Sequence, residues 1–268
     1  MEATSPHLGS SVTRPTRPPI RVIARLDIKG KNLIKGVQLE GLRVLGDPNE
    51  FARRYYVAGI DEILYIDTVA SLYGRSYMTE ILENTVSDVF VPITAGGGVK
   101  SVDDVRVLLR SGADKVAINS EAVRNPQLIS EIADAFGEQC TVVSIQAKKT
   151  APNNWEVLIE GGREKTGLDV VEWASEVTRL GAGEILITSV DKDGTKKGFD
   201  NELIAQVRAA VQVPVIGSGG FGSTNDLGPL LSSAPEIDAI SVGTALHYEV
   251  ASVEDIKSTL HEREGSKR

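Results

Sequence analysis

The sequence predicts a (β/α)8 TIM barrel made of two similar half-barrels. Three observations lead there. Apolar runs alternate with amphipathic segments eight times, the 268-residue length suits one such barrel, and one glycine-rich pattern occurs in each half. The eight strand candidates are residues 20–27, 62–67, 89–94, 115–119, 141–146, 184–189, 213–217 and 238–242. Most are unbroken apolar runs, the pattern of parallel strands covered on both faces rather than half-exposed ones. A doubly wound open sheet is the alternative that the same order of elements allows.

Helix signals fall between these runs. Ser101 followed by Val102, Asp103 and Asp104 reads as an N-cap, and Gly112 reads as the stop of that helix. Asn125-Pro126 opens another helix, which runs toward Phe136-Gly137. After the fifth strand, residues 148–167 form an insertion. Pro152-Asn153-Asn154, the apolar stretch 155–159 and Gly161-Gly162 predict a hairpin lying over the barrel mouth. Residues 1–19, rich in Ser, Thr and Pro, read as a disordered tail; 20–263 read as the barrel and 264–268 as a frayed end.

Composition excludes several classes. Twenty-nine basic against 37 acidic residues give a net charge of −8, whereas a sequence-independent nucleic-acid binder needs a basic face. No apolar stretch approaches the ~20 residues that span a membrane, and the first residues lack the apolar core of a secretory signal, so a cytoplasmic protein is expected. The single cysteine, Cys140, rules out an internal disulfide and is expected to be a buried small hydrophobe.

Three groups of residues carry chemistry. Glycines just after a strand let backbone N–H groups approach an anion. This occurs at Gly96-Gly97-Gly98 with Asn119-Ser120, and again at Ser218-Gly219-Gly220 with Gly243-Thr244. Tight strand-to-helix turns would look the same. Two such places on one mouth nonetheless fit a substrate with two phosphates, because barrels bind ligands at that face. Asp27, Asp67, Asp191 and Asp193 end or follow strands, and Lys29 and Lys35 are expected in the loop after the first strand. Asp67 and Asp191 can be read as caps or loop ties, whereas Asp27 stands where barrel catalytic groups sit. At the opposite ends, Arg21, Glu62, Lys115 and Glu184 begin strands; they either solvate the barrel bottom or form a ring about its axis.

These residues resemble the HisF family, the cyclase subunits of imidazole glycerol phosphate synthase. The similarity runs from about residue 21 to residue 257. Its motifs are Ala24-Arg25-Leu26-Asp27-Ile28-Lys29-Gly30, Leu33-Ile34-Lys35-Gly36, Thr94-Ala95-Gly96-Gly97-Gly98, the run from Gly112 to Asn119, the highly specific run from Gly181 to Thr195, and Gly217-Ser218-Gly219-Gly220. The resemblance implies a heterodimer with a HisH-type glutaminase at the barrel bottom. It also implies ammonia passing along the axis and a bisphosphorylated ribulosyl substrate at the mouth. The implied products are imidazole glycerol phosphate and an aminoimidazole carboxamide ribotide, with no metal or organic cofactor.

Carried over position by position, the resemblance makes Asp27 the first catalytic aspartate and Lys35 the loop lysine. It gives the phosphates to Gly98, Asn119 and Ser120 on one side, and to Asp193, Gly194, Gly220, Gly243 and Thr244 on the other. It makes Arg21, Glu62, Lys115 and Glu184 the ring at the ammonia entrance. One position departs. Gln146 stands where the family has its second catalytic aspartate, and an amide cannot exchange a proton near neutral pH. Two other readings therefore accompany the cyclase: a paralogue that conveys ammonia to a sugar amidotransferase of surface-polysaccharide synthesis, and a phosphosugar isomerase of the HisA type. The ring and the run from Gly181 disfavour the isomerase.

Overall fold

The computed structural model describes residues 18–70 and 77–265. Most of the expected tail, 1–17, and the last three residues lie outside them. In chain order the elements are β1 (Arg21–Lys29), β2 (Asn32–Val37), β3 (Glu40–Gly46), α1 (Pro48–Val57), β4 (Glu62–Asp67), α2 (Met78–Thr85), β5 (Ile93–Gly96), α3 (Val102–Arg110), β6 (Lys115–Ile118), α4 (Ser120–Arg124), α5 (Gln127–Phe136), β7 (Thr141–Ala151), β8 (Asn154–Ile159), β9 (Glu164–Asp169), α6 (Val170–Arg179), β10 (Glu184–Ser189), α7 (Asn201–Ala210), β11 (Val215–Ser218), α8 (Leu227–Ser233), β12 (Ala239–Val242), α9 (Thr244–His247) and α10 (Val253–Gly265).

Eight strands pair in parallel and close on themselves in the order β1, β4, β5, β6, β7, β10, β11, β12 and back to β1. The closed (β/α)8 barrel is thus the observed fold, and the open sheet is set aside. Strand parity divides the core. Val22, Ala24, Leu26 and Ile28 of β1 face the helices, in one large apolar cluster. Ile23 faces the lumen, where it packs with Leu64, Ala117, Val142, Leu186, Ile216 and Ala239, the filled interior layer usual for such barrels.

Several local expectations hold. The Ser101 side chain accepts from Asp104 N and caps α3, and Gly112 follows that helix with φ 114°. Other helices start on acidic caps that sequence reading passed over: Asp47 on α1, Asp169 on α6 and Asp200 on α7.

Other expectations need correction. The third barrel strand is Ile93–Gly96, not 89–94; Pro92 has no N–H for a ladder, so Val89 is buried in the approach to the strand instead. Pro214 likewise delays β11 to Val215. Lys29 and Lys35 do not sit in a loop: Lys29 ends β1, and Lys35 lies within β2, which pairs antiparallel with β1 and with β3. Asn119 falls just past β6, as the residue before α4. Cys140 is half-buried rather than buried, at the end of a short 3-10 turn. The insertion is a three-stranded meander rather than a lone hairpin, because β7 runs on to Ala151 and pairs with β8, which pairs with β9.

Candidate functional site

The carboxyl ends of the strands open on a cleft lined by residues from both halves of the chain, among them Asp27, Lys35, Gly98, Asn119, Ser120, Gln146 and Asp193. The meander supplies Glu160, Gly161 and Arg163 to the same wall. A smaller adjoining pocket is lined by Gly194, Gly220, Gly243, Thr244 and, again, Lys35 and Asp193. The structure therefore gathers Asp27, Lys35, Gln146 and the residues expected at both phosphates into two adjoining hollows, while Lys29 and Asp191 line neither.

The two glycine turns are built alike. Gly97 and Gly98 have φ of 107° and 71°, Gly219 and Gly220 of 93° and 99°, where side chains are strained. Space forbids them as well: a Cβ on Gly97 would meet Asp67 O at 2.2 Å, and one on Gly220 would meet Gly198 O at 2.1 Å. The partner positions match too. Asn119 has φ −133° and ψ −82°, and Gly243 has φ −118° and ψ −79°, each at the start of a short helix. On the first side the Asn119 amide donates to Ser144 O at 2.8 Å, and Ser120 Oγ accepts from Glu160 N at 3.0 Å, so the meander is tied to that turn.

Between the turns lies a buried chain of charges. Arg25 Nε donates to Asp27 Oδ1 at 2.8 Å, Lys35 Nζ donates to Asp27 Oδ2 at 2.8 Å, and the same ammonium reaches both Asp193 oxygens at 3.3 Å. All four side chains are 5% exposed or less. Burial works against the Asp27 carboxylate, but the Arg25 and Lys35 charges outweigh it and hold its pKa well below the usual carboxylate range. For Lys35 burial is likewise outweighed, here by Asp193 and Asp27, and its pKa is raised. Asp67 and Asp191 behave as ties: Asp67 accepts from Val69 N and Ala70 N, while Asp191 accepts from Lys149 N and pairs with Lys148.

Gln146 projects from β7 into the cleft, and its Oε1 is buried with no hydrogen-bond partner among the described residues. A buried acceptor left open costs free energy unless something donates to it.

At the far end of the lumen the four strand-start charges do form a ring. Arg21 bonds Glu62 through one Nη and Glu184 through the other. Lys115 Nζ stands 2.9 Å from Glu184 Oε2 and 3.3 Å from Glu62 Oε2. Burial opposes the charge on Arg21, yet the two carboxylates raise its pKa above the ordinary value. Parity joins the two ends: Arg21, Ile23, Arg25 and Asp27 alternate along β1 and all face the lumen.

Sequence reading assigned no role to Arg25, Thr188 or His247, and read Ser218 only as part of a glycine turn. Arg25 donates to Thr188 Oγ1 at 3.0 Å and to Ser218 Oγ at 3.3 Å. His247 lies behind Gly243 with Nδ1 2.6 Å from Tyr55 Oη. Burial, and then the nearby Lys35 charge, lowers its pKa to about 4, so the ring is neutral at physiological pH. Position i−2 from Asp27 on a strand was the one signal that could have found Arg25. Among the described residues no group of three or more His, Cys, Asp and Glu is placed to hold a metal, and no helix is long and apolar enough to cross a membrane.

Fold and site together define a (β/α)8 barrel of two like halves, with paired glycine turns about a buried ion-pair chain at the mouth and a charged ring at the bottom. A family model described as "Histidine biosynthesis protein" matches residues 21–252. The chain is 60% identical over 207 residues to the imidazole glycerol phosphate synthase subunit HisF of Legionella pneumophila, covering 77% of this chain and 98% of that protein. It is 48% identical over 240 residues to the subunit of that name from Bacillus cereus (strain AH187), and 45% identical over 246 residues to that of Mycobacteroides abscessus, covering 90% of this chain and 95% of the relative in each case. The chain belongs to the HisF family. These relatives are named as subunits, hence as parts of a larger enzyme.

Proposed function

We propose that this barrel is the cyclase subunit of imidazole glycerol phosphate synthase in histidine biosynthesis. Ammonia from a HisH-type glutaminase enters at the ring of Arg21, Glu62, Lys115 and Glu184 and travels along the lumen. At the mouth a ribulosyl aminoimidazole substrate spans the two glycine turns. One phosphate is held at Gly98, Asn119 and Ser120, the other at Gly194, Gly220, Gly243 and Thr244, with Asp193 beside it. Asp27 and Lys35 stand between them, beneath the reacting atoms. The substrate is cleaved and its imidazole ring closed, giving imidazole glycerol phosphate and aminoimidazole carboxamide ribotide.

The observation that carries this reading is the column on β1. One strand presents Arg21 to the ring at the bottom and Asp27 to the mouth, separated only by Ile23 and Arg25, so both ends belong to one axis. Gln146 then limits the rate: its open Oε1 can accept a bond from a substrate N–H or O–H but cannot move a proton.

The test follows loss of the substrate's absorbance with ammonium salt, in the unmodified protein and in Gln146→Asp. Weak turnover is expected in the first. A positioned acid or base contributes ~10²–10⁴-fold, so a large gain toward that range is expected in the second. No turnover in either protein, with the glutaminase still stimulated on mixing, would sink the cyclase reading.

A further inference from the structure

We infer that Arg25 is a positioning residue that bridges the lumen and holds Asp27 as an ionised, doubly engaged carboxylate in one orientation, ready to meet the substrate. The inference rests on the mouth of the barrel being the reaction site proposed above.

The geometry begins with direction. Arg25 leaves β1, yet its far end bonds Thr188 of β10 and Ser218 of β11. In the closed strand order β12 and β11 lie between β1 and β10, so the side chain runs across the barrel rather than along a neighbouring strand. It lies one inward step above the apolar layer of Ile23, Leu64, Val142, Leu186 and Ile216, and it lines both mouth hollows. A guanidinium does not give up its proton at any pH the protein survives. It is therefore a fixed positive charge, anchored at three points by Asp27, Thr188 and Ser218.

The consequence for Asp27 follows from counting its oxygens. Oδ1 accepts from Arg25 and Oδ2 accepts from Lys35, both at 2.8 Å. To take a proton, the carboxyl would have to release one cation and leave it buried without its counter-charge. The other groups around it do not reverse this. Asp193 is bound to Lys35; His247 is neutral; Asp67, on the adjacent β4, accepts from backbone N–H groups; and Gln146 does not titrate. Asp27 therefore meets the substrate ionised and in one orientation, facing its N–H or O–H groups or positive charge that develops there.

The test follows the Asp27 carboxyl carbon by NMR against pH in the folded full-length protein, in unmodified form and as Arg25→Met and Arg25→Lys. The unmodified carboxyl should not titrate between pH 8 and the acid limit of folding. In Arg25→Met its midpoint should move upward, so that an inflection enters the acid end of that window. In Arg25→Lys, which keeps the charge but cannot reach Thr188 and Ser218 together, the carboxyl should stay flat while kcat with ammonium falls and KM holds. If Arg25→Met does not fold, Thr188→Val with Ser218→Ala removes the far anchors instead, and the same loss of kcat with KM held is expected. Titration of Asp27 in the unmodified protein, or a flat carboxyl in a folded Arg25→Met, overturns the inference. The carboxyl readout needs no turnover, so a protein without cyclase activity but with the expected titrations overturns the proposed function alone.

Discussion

Replacing Lys35 by methionine isolates the charge balance at the mouth. The side chain keeps its length and most of its apolar stem but loses the ammonium that sits 2.8 Å from Asp27 and 3.3 Å from Asp193. Two cations and two carboxylates become one cation and two carboxylates, with Lys35 3% and both acids 5% exposed. Arg25 still faces Asp27, so the uncompensated charge falls mainly on Asp193. Breaking a buried pair by removing one partner costs about 3–5 kcal/mol. In a domain of this size each kcal/mol lowers the melting midpoint by roughly 2–4 °C, so a drop of about 6–20 °C is expected at pH 7. The sign with pH follows from Asp27. Its folded pKa lies below the ordinary 3.8, so its stabilisation is complete above that value and is lost as pH falls through the folded value. Losing Lys35 raises the folded value, so the gap between the two proteins should be widest at neutral pH and narrow in acid. Calorimetric melting across that range is the assay, with Lys35→Met/Asp193→Asn as the second variant, which should recover much of the loss. A midpoint change under about 2 °C for Lys35→Met would refute the reasoning, since that is what less than 1 kcal/mol produces. So would a double variant no more stable than the single one.

Two further predictions concern other parts of the barrel. Glu184→Gln removes charge-assisted bonds to Arg21 and Lys115 and should cost about 1.5–3 kcal/mol of stability, read from denaturant midpoints. With the glutaminase present it should lower glutamine-dependent turnover by a larger factor than ammonium-dependent turnover; equal losses would separate the ring from ammonia transfer. His247, neutral in the fold down to about pH 4 against an ordinary 6.5, leaves the unfolded chain binding an extra proton between those values. Stability should therefore fall as pH drops from 6.5 to 4, by up to about 1.4 kcal/mol per pH unit from this group, and His247→Gln should show a shallower fall. Parallel slopes would contradict the assignment.

How much of this was legible in the sequence depended on the range of the interaction. Apolar runs marked the barrel strands because parallel strands are buried on both faces. Their edges failed where proline removed a ladder donor, at Pro92 and Pro214. The β2–β3 ribbon escaped notice because Gly30, Gly36, Gly41 and Gly46 break its pattern, and β3 is mostly exposed, with no apolar face to read. The paired glycine turns were visible because a positive φ after a strand demands glycine. Asp27 could be placed by its position at a strand end, whereas the four strand-start charges fitted solvated ends equally well and only the resemblance made them a ring. For Arg25 only the inward parity was legible: a bond from β1 to β10 and β11 depends on barrel closure, which no local pattern carries. Gln146 was found by the resemblance, and its open oxygen only by the structure.

The meander over the mouth carries a built-in optical reporter. Trp155 on β8 is 1% exposed, and its indole N–H bonds Asp200 Oδ2 at 3.0 Å, at the cap of α7. The chain has one other tryptophan, Trp173, on α6, where it is also buried. A Trp173→Phe protein would thus emit from a single indole hydrogen-bonded to the Asp200 carboxyl group. Any movement of the meander that lengthens that bond would change the emission wavelength and the quenching by Asp200. Ligand arrival at the mouth could then be timed by stopped-flow fluorescence, with no label and no turnover.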